Sequence, residues 1–189
     1  QRQMCIRDRA HTMLGFGFED GRHLLLSVEA RREKEEPYGL IAGELNQFEL
    51  IYLFGTEEDL LTTRAVTRGN RIDHYPLRAT PEFSRSLFRS LADSANRLRD
   101  RPEFYSSITN NCTLAIVRHV DHQEGMKQPI GIRLGTLLPG QSARLLHRLN
   151  LLDTELDFAE ARKAARIDER IRAAAGKPGF SKAIRSGPP

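Results

Sequence analysis

The chain has no tryptophan and only two cysteines among its 189 residues. So few cysteines exclude a framework of several disulfides and a zinc site built from cysteine clusters. No apolar run reaches the ~18 residues that a membrane-spanning helix requires. The net charge of +4 arises from basic residues scattered among almost as many acidic ones, without the basic stripe that binds nucleic acid. The composition is that of a globular protein, and we expect no nucleic-acid partner.

Motifs that hold metals or cofactors are also missing. There is no HExxH and no CxxC, and the spacing of His119 and His122 is common by chance. Gly15-Phe16-Gly17 lacks the third glycine and the strand-to-helix context of a dinucleotide-binding loop. We therefore expect neither a metal nor a cofactor.

The first nine residues, QRQMCIRDR, show neither periodicity nor a helix cap. They resemble the peptide that arises when sequencing-adapter DNA is translated at the broken end of a gene. We expect residues 1–9 to be non-native, with the native N-terminal segment missing. Cys5 then falls outside the native chain, and Cys112 is its one cysteine.

Five segments have the length and apolar pattern of strands: Ala10 to Phe18, Arg22 to Glu29, Phe48 to Phe54, Leu60 to Arg68 and Ile72 to Leu77. The first two flank the turn sequence Glu19-Asp20-Gly21 and predict a β-hairpin. The third is apolar at both parities, which favours a central strand. The last two flank a Gly69-Asn70 turn.

From Thr80 onward the apolar period becomes helical. Helices are predicted from a Thr80 cap to about Arg99, at Cys112 to Val120, at Ser142 to Leu149, and at Phe158 to Ala175 after an Asp157 cap. Strands followed by helices predict an α+β fold in which an antiparallel sheet packs against helices. We expect a single domain over residues 10–175, with a helical C-terminal segment, and a flexible tail over residues 176–189.

Cys112 lies in the first turn of a predicted helix, after the capping sequence Thr109-Asn110-Asn111. The positive end of the helix dipole and the unpaired N–H groups there favour a thiolate, which is the nucleophilic form. The alternative is a small buried apolar residue at a helix start, because free cysteine is among the most buried residue types.

A cysteine nucleophile needs a general base within hydrogen-bond reach. His11 opens a strand whose next residues are small or apolar, from which a side chain can reach a neighbouring helix end. His23 directly follows the turn and is predicted to face solvent. His119, two helical turns from Cys112, is too distant and is predicted to be a satisfied core or interface residue. The remaining histidines are predicted to lie at the surface: His74, His122 and His147.

Three stretches in order resemble the Lnb N-terminal periplasmic domain family: HTMLGFGFEDGRHLLLSVEARREKEE, LNQFELIYLF and RPEFYSSITNNCTLAIVRHV. The segment LLDTELDFAEARKAARIDERIRAA resembles the closing part of the same family. The likeness covers nearly all of the chain after Arg9. Two positions depart from it, since Gly15 stands where relatives usually carry serine and Asn46 where they usually carry arginine.

The resemblance implies a permuted papain-like fold of the lecithin:retinol acyltransferase type, in which the histidine precedes the cysteine. It implies Cys112 as nucleophile and His11 as base, with a third polar group on the next strand. Glu29 is our candidate for that group, and Ser27 the reserve. The family takes its name from an envelope lipoprotein N-acyltransferase, which implies a periplasmic protein associated with the membrane through its missing N-terminal segment.

Three functions stay open at this level. The first is a cysteine-dependent acyltransferase or hydrolase of the bacterial envelope that forms a thioester and acts on lipoprotein, peptide or lipid acyl groups at a membrane surface. Backbone N–H groups at the helix start, supported by Asn111 or Thr113, would then bind the oxyanion. The second is a thiol peptidase or amidase acting on cell-wall peptides, and the third is a non-catalytic envelope module. Transfer, hydrolysis and oligomeric state are not distinguished by the sequence.

Overall fold

A computed structural model describes residues 11–31, 48–106, 110–123 and 129–186. The predicted non-native segment at residues 1–9 and the departure at Asn46 lie outside the described residues. Three antiparallel strands form one sheet in the order β1-β2-β3, namely β1 (Met13–Gly17), β2 (His23–Arg31) and β3 (Glu49–Thr56).

The predicted hairpin is confirmed. Phe18 N–H donates to Arg22 O at 2.9 Å, and Gly21 takes φ 79°, a left-handed conformation that glycine adopts without strain. β2 is the central strand, with Leu25 to Val28 buried at both parities. Among the three described strands β3 lies at the edge and not, as predicted, at the centre. The start of β3 is nevertheless bonded on its other side by residues 103–105, with Leu50 N–H donating to Glu103 O at 2.7 Å and Tyr105 N–H to Phe48 O at 2.8 Å.

The described residues form eight α-helices: α1 (Glu57–Thr62), α2 (Pro81–Arg97), α3 (Cys112–Asp121), α4 (Leu134–Leu137), α5 (Ser142–Arg148), α6 (Phe158–Ala164), α7 (Asp168–Ala174) and α8 (Phe180–Arg185). A π-helical turn at Thr63–Thr67 continues α1, and a 3₁₀ turn at Pro139–Gln141 precedes α5. The predicted α+β class is confirmed.

The strand predicted at Leu60 to Arg68 is wrong. Thr56 caps α1 by accepting from Asp59 N–H at 3.1 Å, and three acidic residues fill the first turn, where they favour a helix. The β-branched residues that suggested a strand belong to this helix and its π turn. A local cap therefore overrides strand propensity here.

Backbone pairing between two distant segments explains two wrong predictions. They are the strand at Ile72 to Leu77 and the continuous helix over Phe158 to Ala175. Segment 72–74 bonds through its backbone to segment 165–167, with His74 N–H donating to Ala165 O at 2.7 Å and Ile167 N–H to Ile72 O at 2.9 Å. These bonds break the helix into α6 and α7. The pairing is an isolated bridge and not a strand.

Other helix predictions are confirmed. Thr80 caps α2 by accepting from Phe83 N–H at 3.2 Å, α3 begins at Cys112, and Asp157 caps α6. Helix α8 lies in the segment predicted to be a flexible tail, and its Phe180 and Ile184 are buried.

Two compact units share the described residues. The first unit consists of the described residues within Gln1–Met13, Ser27–Leu53 and Thr80–Leu145. The second consists of those within Leu14–Leu26, Phe54–Ala79 and Leu146–Pro189. The buried residues of the first come mainly from β2, α2 and α3, and those of the second mainly from β2 and α6 to α8. The second unit also holds a buried Glu57 in an ion pair with Arg185 at 2.8 Å.

Within the first unit, a polar chain joins β3, α3 and α2. His119 on α3 bonds through Nε2 to the Tyr52 hydroxyl at 3.2 Å and through Nδ1 to the Ser90 hydroxyl at 2.8 Å. Burial, followed by the charges of Arg97 and His122, lowers the pKa of His119 below its usual 6.5. Burial raises the pKa of Tyr52 to about 12. Both groups are therefore neutral near neutral pH, and His119 is a satisfied histidine as predicted.

This neutral histidine predicts a pH-dependent stability. Because the unfolded chain binds a proton on His119 more readily than the folded chain, the free energy of unfolding should fall as pH drops below about 6.5 and level off below the folded pKa. Denaturant unfolding at several pH values measures this. In His119→Gln the free energy of unfolding should fall less over this pH range. Tyr52→Phe keeps the imidazole and should show the same fall as the wild type. Equal pH slopes for wild type and His119→Gln would contradict the assignment.

Candidate active site

All six residues predicted for the site lie in the first unit: His11, Ser27, Glu29, Asn111, Cys112 and Thr113. They come from three places, the residues just ahead of β1, the second half of β2, and the start of α3. A continuous set of hydrogen bonds links the side chains within each place and between them.

Asn111 fixes the position of Cys112 by capping α3. Its side-chain Oδ1 accepts from the N–H groups of Thr113 at 3.0 Å and Leu114 at 2.9 Å, from an extended backbone with φ −87°. Asparagine is among the strongest N-cap residues for this reason. Cys112 is consequently the first helical residue, and it is 2% exposed.

The cap also determines which backbone donors remain at the helix start. Thr113 and Leu114 donate to Asn111 Oδ1, and Ala115 N–H donates to Asn111 O at 2.9 Å. No described residue accepts from the N–H of Cys112 itself. The amide Nδ2 of Asn111 donates to Leu137 O at 3.2 Å, so this side chain is occupied at both ends. The Cys112 N–H is therefore the backbone donor best placed to bind an oxyanion beside the sulfur.

His11 is held by two side chains of β2. Its Nε2 lies 2.6 Å from Ser27 Oγ and 3.3 Å from Glu29 Oε1. Ser27 and Glu29 are two positions apart on the strand and so project from the same face of the sheet. The Ser27 hydroxyl donates to Glu29 Oε1 at 2.6 Å.

These bonds define the protonation of His11. Because the single hydroxyl proton of Ser27 goes to Glu29, Ser27 Oγ can only accept from His11 Nε2–H. In the neutral ring the proton then sits on Nε2, and the lone pair lies on Nδ1. Ser27 is 1% exposed, so water competes little for these bonds.

Cys112 has the electrostatic surroundings of a reactive thiol. Burial raises its pKa, but the hydrogen bond and charge of His11 lower it, as do the Thr12 N–H and the Thr113 hydroxyl, and the net pKa lies below the usual 9.0. Thr113 Oγ1 lies 4.0 Å from Cys112 Sγ. These neighbours therefore favour the thiolate form of Cys112.

Two residues that the sequence analysis missed support this arrangement from the other end of α3. Asp121 accepts from Ile130 N–H at 2.6 Å and Gly131 N–H at 2.8 Å. Thr136, 1% exposed, accepts from Arg133 N–H at 2.8 Å and so shapes the turn that leads into α4. Asp121 at the end of α3 thus binds residues 130 and 131, and Asn111 at the start of α3 binds Leu137. No spacing in the sequence signals these irregular contacts.

The other histidines stand apart from the site. His74 and His122 are exposed, as predicted. The surface predictions for His23 and His147 are wrong, because both are half-buried. His147 bonds to Leu156 O at 2.9 Å, and the buried Nδ1 of His23 has no partner among the described residues. Local polarity had suggested solvent, but tertiary contacts cover both rings.

The capping bonds predict a measurable cost for Asn111→Ala. Loss of the cap should lower the free energy of unfolding by about 1–2 kcal/mol, because first-turn N–H groups lose their acceptor in a buried setting. Asn111→Ser restores a capping oxygen without the amide donor to Leu137, and it should recover most of this loss. Chemical denaturation measures both variants. An Asn111→Ser variant as unstable as Asn111→Ala would show that the bond to Leu137, and not the cap, stabilises the helix start.

Over the parts of the chain that the structure describes, no three or more His, Cys, Asp or Glu side chains gather as they would around a metal ion. No helix in those parts combines the length and apolarity needed to cross a membrane.

Comparison with known proteins identifies the family. The model of the Lnb N-terminal periplasmic domain matches residues 8–152, a span that contains every candidate site residue. No curated protein and no solved structure matches the chain. Since the match covers well over half of the sequence, the chain belongs to the Lnb N-terminal periplasmic domain family, which makes it a domain of the cell envelope with a periplasmic location.

Proposed function

We propose that this domain is a cysteine-dependent acyltransferase or hydrolase of the bacterial envelope, with Cys112 as nucleophile and His11 as general base. The observation that carries the proposal is that His11, held by Ser27 and Glu29, interacts with Cys112 at a capped helix start and lowers the pKa of its thiol. A base oriented by a further polar group is what nucleophilic catalysis by a thiol requires. The His-first order is that of a permuted papain-like site.

The first step transfers an acyl group to sulfur. The Cys112 thiolate attacks the carbonyl carbon of an ester or amide, the C–S bond forms, and the carbonyl oxygen becomes an oxyanion near the Cys112 N–H. The bond to the leaving oxygen or nitrogen then breaks, and the leaving group takes the proton of His11 Nδ1. A thioester on Cys112 and a neutral His11 result.

The second step releases the acyl group. An amine or a water molecule attacks the thioester carbonyl while His11 Nδ1 takes a proton from it. The C–S bond breaks, and the sulfur leaves as the thiolate beside the imidazolium. An amine acceptor gives an amide, and water gives a carboxylic acid.

Ser27 and Glu29 would orient the base and stabilise its charge. Their bonds to Nε2 keep Nδ1 directed at the thiol, and the Glu29 carboxylate at 3.3 Å favours the imidazolium that forms in each step. Both predicted candidates for the third group are therefore used, with Ser27 in direct contact and Glu29 behind it.

The proposed substrates are acyl groups of lipids or lipoproteins presented at a membrane surface. The membership of the family supports a substrate of the envelope. Two large apolar side chains that flank α4, Ile132 and Leu138, are 76% and 51% exposed. A peptide substrate, with the same two steps, is the outcome that would assign a thiol peptidase or amidase instead.

Cys112→Ala and His11→Ala should each abolish thioester formation with p-nitrophenyl acetate. The reason is that one variant lacks the nucleophile and the other lacks the base that generates it. Stopped-flow release of p-nitrophenolate measures the rate, and mass spectrometry of the intact protein detects the acyl adduct. Circular dichroism of both variants checks the fold. An undiminished rate in folded Cys112→Ala would exclude Cys112 as the nucleophile, whereas a wild-type protein that forms no acyl adduct would favour a non-catalytic module.

Glu29→Gln and Ser27→Ala should slow acylation by about 10–100-fold without abolishing it, since general acid–base groups lose efficiency when their orientation is lost. The pH dependence of the rate separates the two effects. Glu29→Gln removes the negative charge beside His11, so the pKa of the His11 imidazolium should fall. The alkaline limb of the pH–rate profile should then shift to lower pH. Ser27→Ala keeps that charge and should lower the rate with a smaller shift. Identical profiles for wild type and Glu29→Gln would assign Glu29 no role in the base.

A further inference from the structure

A hydrogen bond joins the threonines that follow the two candidate catalytic residues. Thr12 Oγ1 and Thr113 Oγ1 lie 2.8 Å apart across 101 residues of sequence. Thr12 directly follows His11, and Thr113 directly follows Cys112. We infer that Thr12 and Thr113 form a positioning link that sets the distance between the His11 ring and the Cys112 sulfur. This inference rests on the proposed function.

Side chains connect the residues ahead of β1 to their neighbours. The strand begins at Met13, so His11 and Thr12 lie just ahead of it. Ser27 holds the Nε2 side of the ring, and the hydroxyl pair attaches the adjoining residue directly to α3.

Thr12 also approaches the sulfur through its backbone. Its N–H donates to Cys112 Sγ, while its hydroxyl reaches Thr113. If the hydroxyl pair is broken, the same peptide unit that supplies this N–H can move away from the thiolate. The side chain of Thr12 thus acts on the sulfur only indirectly and is a positioning residue. It can be replaced without removing a group that touches the sulfur.

Simple packing is the competing explanation, and valine distinguishes the two. Valine has the shape of threonine without the hydroxyl, and Thr113 is 4% exposed, so a packed pair would tolerate the exchange. Replacing both partners of a hydrogen bond by apolar groups of the same shape is nearly neutral for stability. A positioning link predicts instead that the pKa of Cys112 rises while the stability of the fold is unchanged.

The experiment compares Thr12→Val with Thr12→Ser, which keeps the hydroxyl, and with the double variant Thr12→Val/Thr113→Val. Thr62→Val is the matched control, because its buried hydroxyl has no partner among the described residues. The ultraviolet absorbance of the thiolate is titrated against pH, and single-turnover acylation by p-nitrophenyl acetate and thermal unfolding are measured on the same proteins.

We expect Thr12→Val to raise the pKa of Cys112 and to slow acylation by about tenfold, the effect of one lost hydrogen bond on the geometry of the pair. Thr12→Ser should restore both values, Thr62→Val should change neither, and the double variant should unfold at the wild-type temperature. Should Thr12→Val fail to fold, Thr12→Ala removes the same hydroxyl and is titrated in its place.

A thiolate titration unchanged by Thr12→Val overturns the link, even if the wild-type protein forms an acyl-enzyme. A wild-type protein that forms no acyl-enzyme overturns the proposed function. The link is then still decided, because the thiolate titration of wild type against Thr12→Val does not require turnover.

Discussion

The bond from Asn111 Oδ1 to the first N–H groups of α3 is the interaction on which the candidate site depends. It begins the helix at Cys112 and leaves the N–H of that residue without an acceptor among the described residues. The same side chain anchors Leu137 through its amide, so one buried asparagine couples the helix start to the segment that Asp121 binds at the helix end. A residue that caps a helix thereby also defines where the Cys112 sulfur lies, and with it the proposed nucleophile and oxyanion donor.

The surroundings of His11, the proposed base, follow instead from the alternation of side chains between the two faces of a strand. Ser27 and Glu29 share one face of β2, the central strand, and present a hydroxyl and a carboxylate to a histidine that comes from outside the ladder. Central strands are rigid because both neighbours bond to them, which suits residues that must hold an imidazole in one tautomer. The helix dipole favours the thiolate, and the strand carboxylate favours the imidazolium, so the two elements stabilise opposite charges of one pair.

Local signals predicted the parts of this structure that local forces decide. The hairpin turn at Gly21, the Thr80 and Asp157 caps and the start of α3 follow from single residues and their immediate neighbours. The contact of His11 with Cys112 followed from a family resemblance, because no spacing in one chain reveals a pair so far apart. Two of the wrong predictions depended on distant partners, because segment 72–74 bonds to segment 165–167 and interrupts a helical pattern. The bonds of Asp121 and Thr136 are of the same kind, since irregular backbone supplies their partners. The strand predicted at Leu60 to Arg68 failed for a local reason, the Thr56 cap of α1.

The separation of His11 and Cys112 along the chain has a consequence for the nascent protein. In an unfolded chain the thiol has neither the imidazole, nor the Thr12 N–H, nor a helix dipole, so its pKa stays near the ordinary 9.0 and the sulfur is a weak nucleophile. The imidazole and the Thr12 N–H reach the sulfur only when the residues ahead of β1 meet the start of α3, a closure over about a hundred residues that is slow compared with forming either element alone. The lowered pKa of Cys112 is thus a property of the finished fold, and a partly folded chain lacks it.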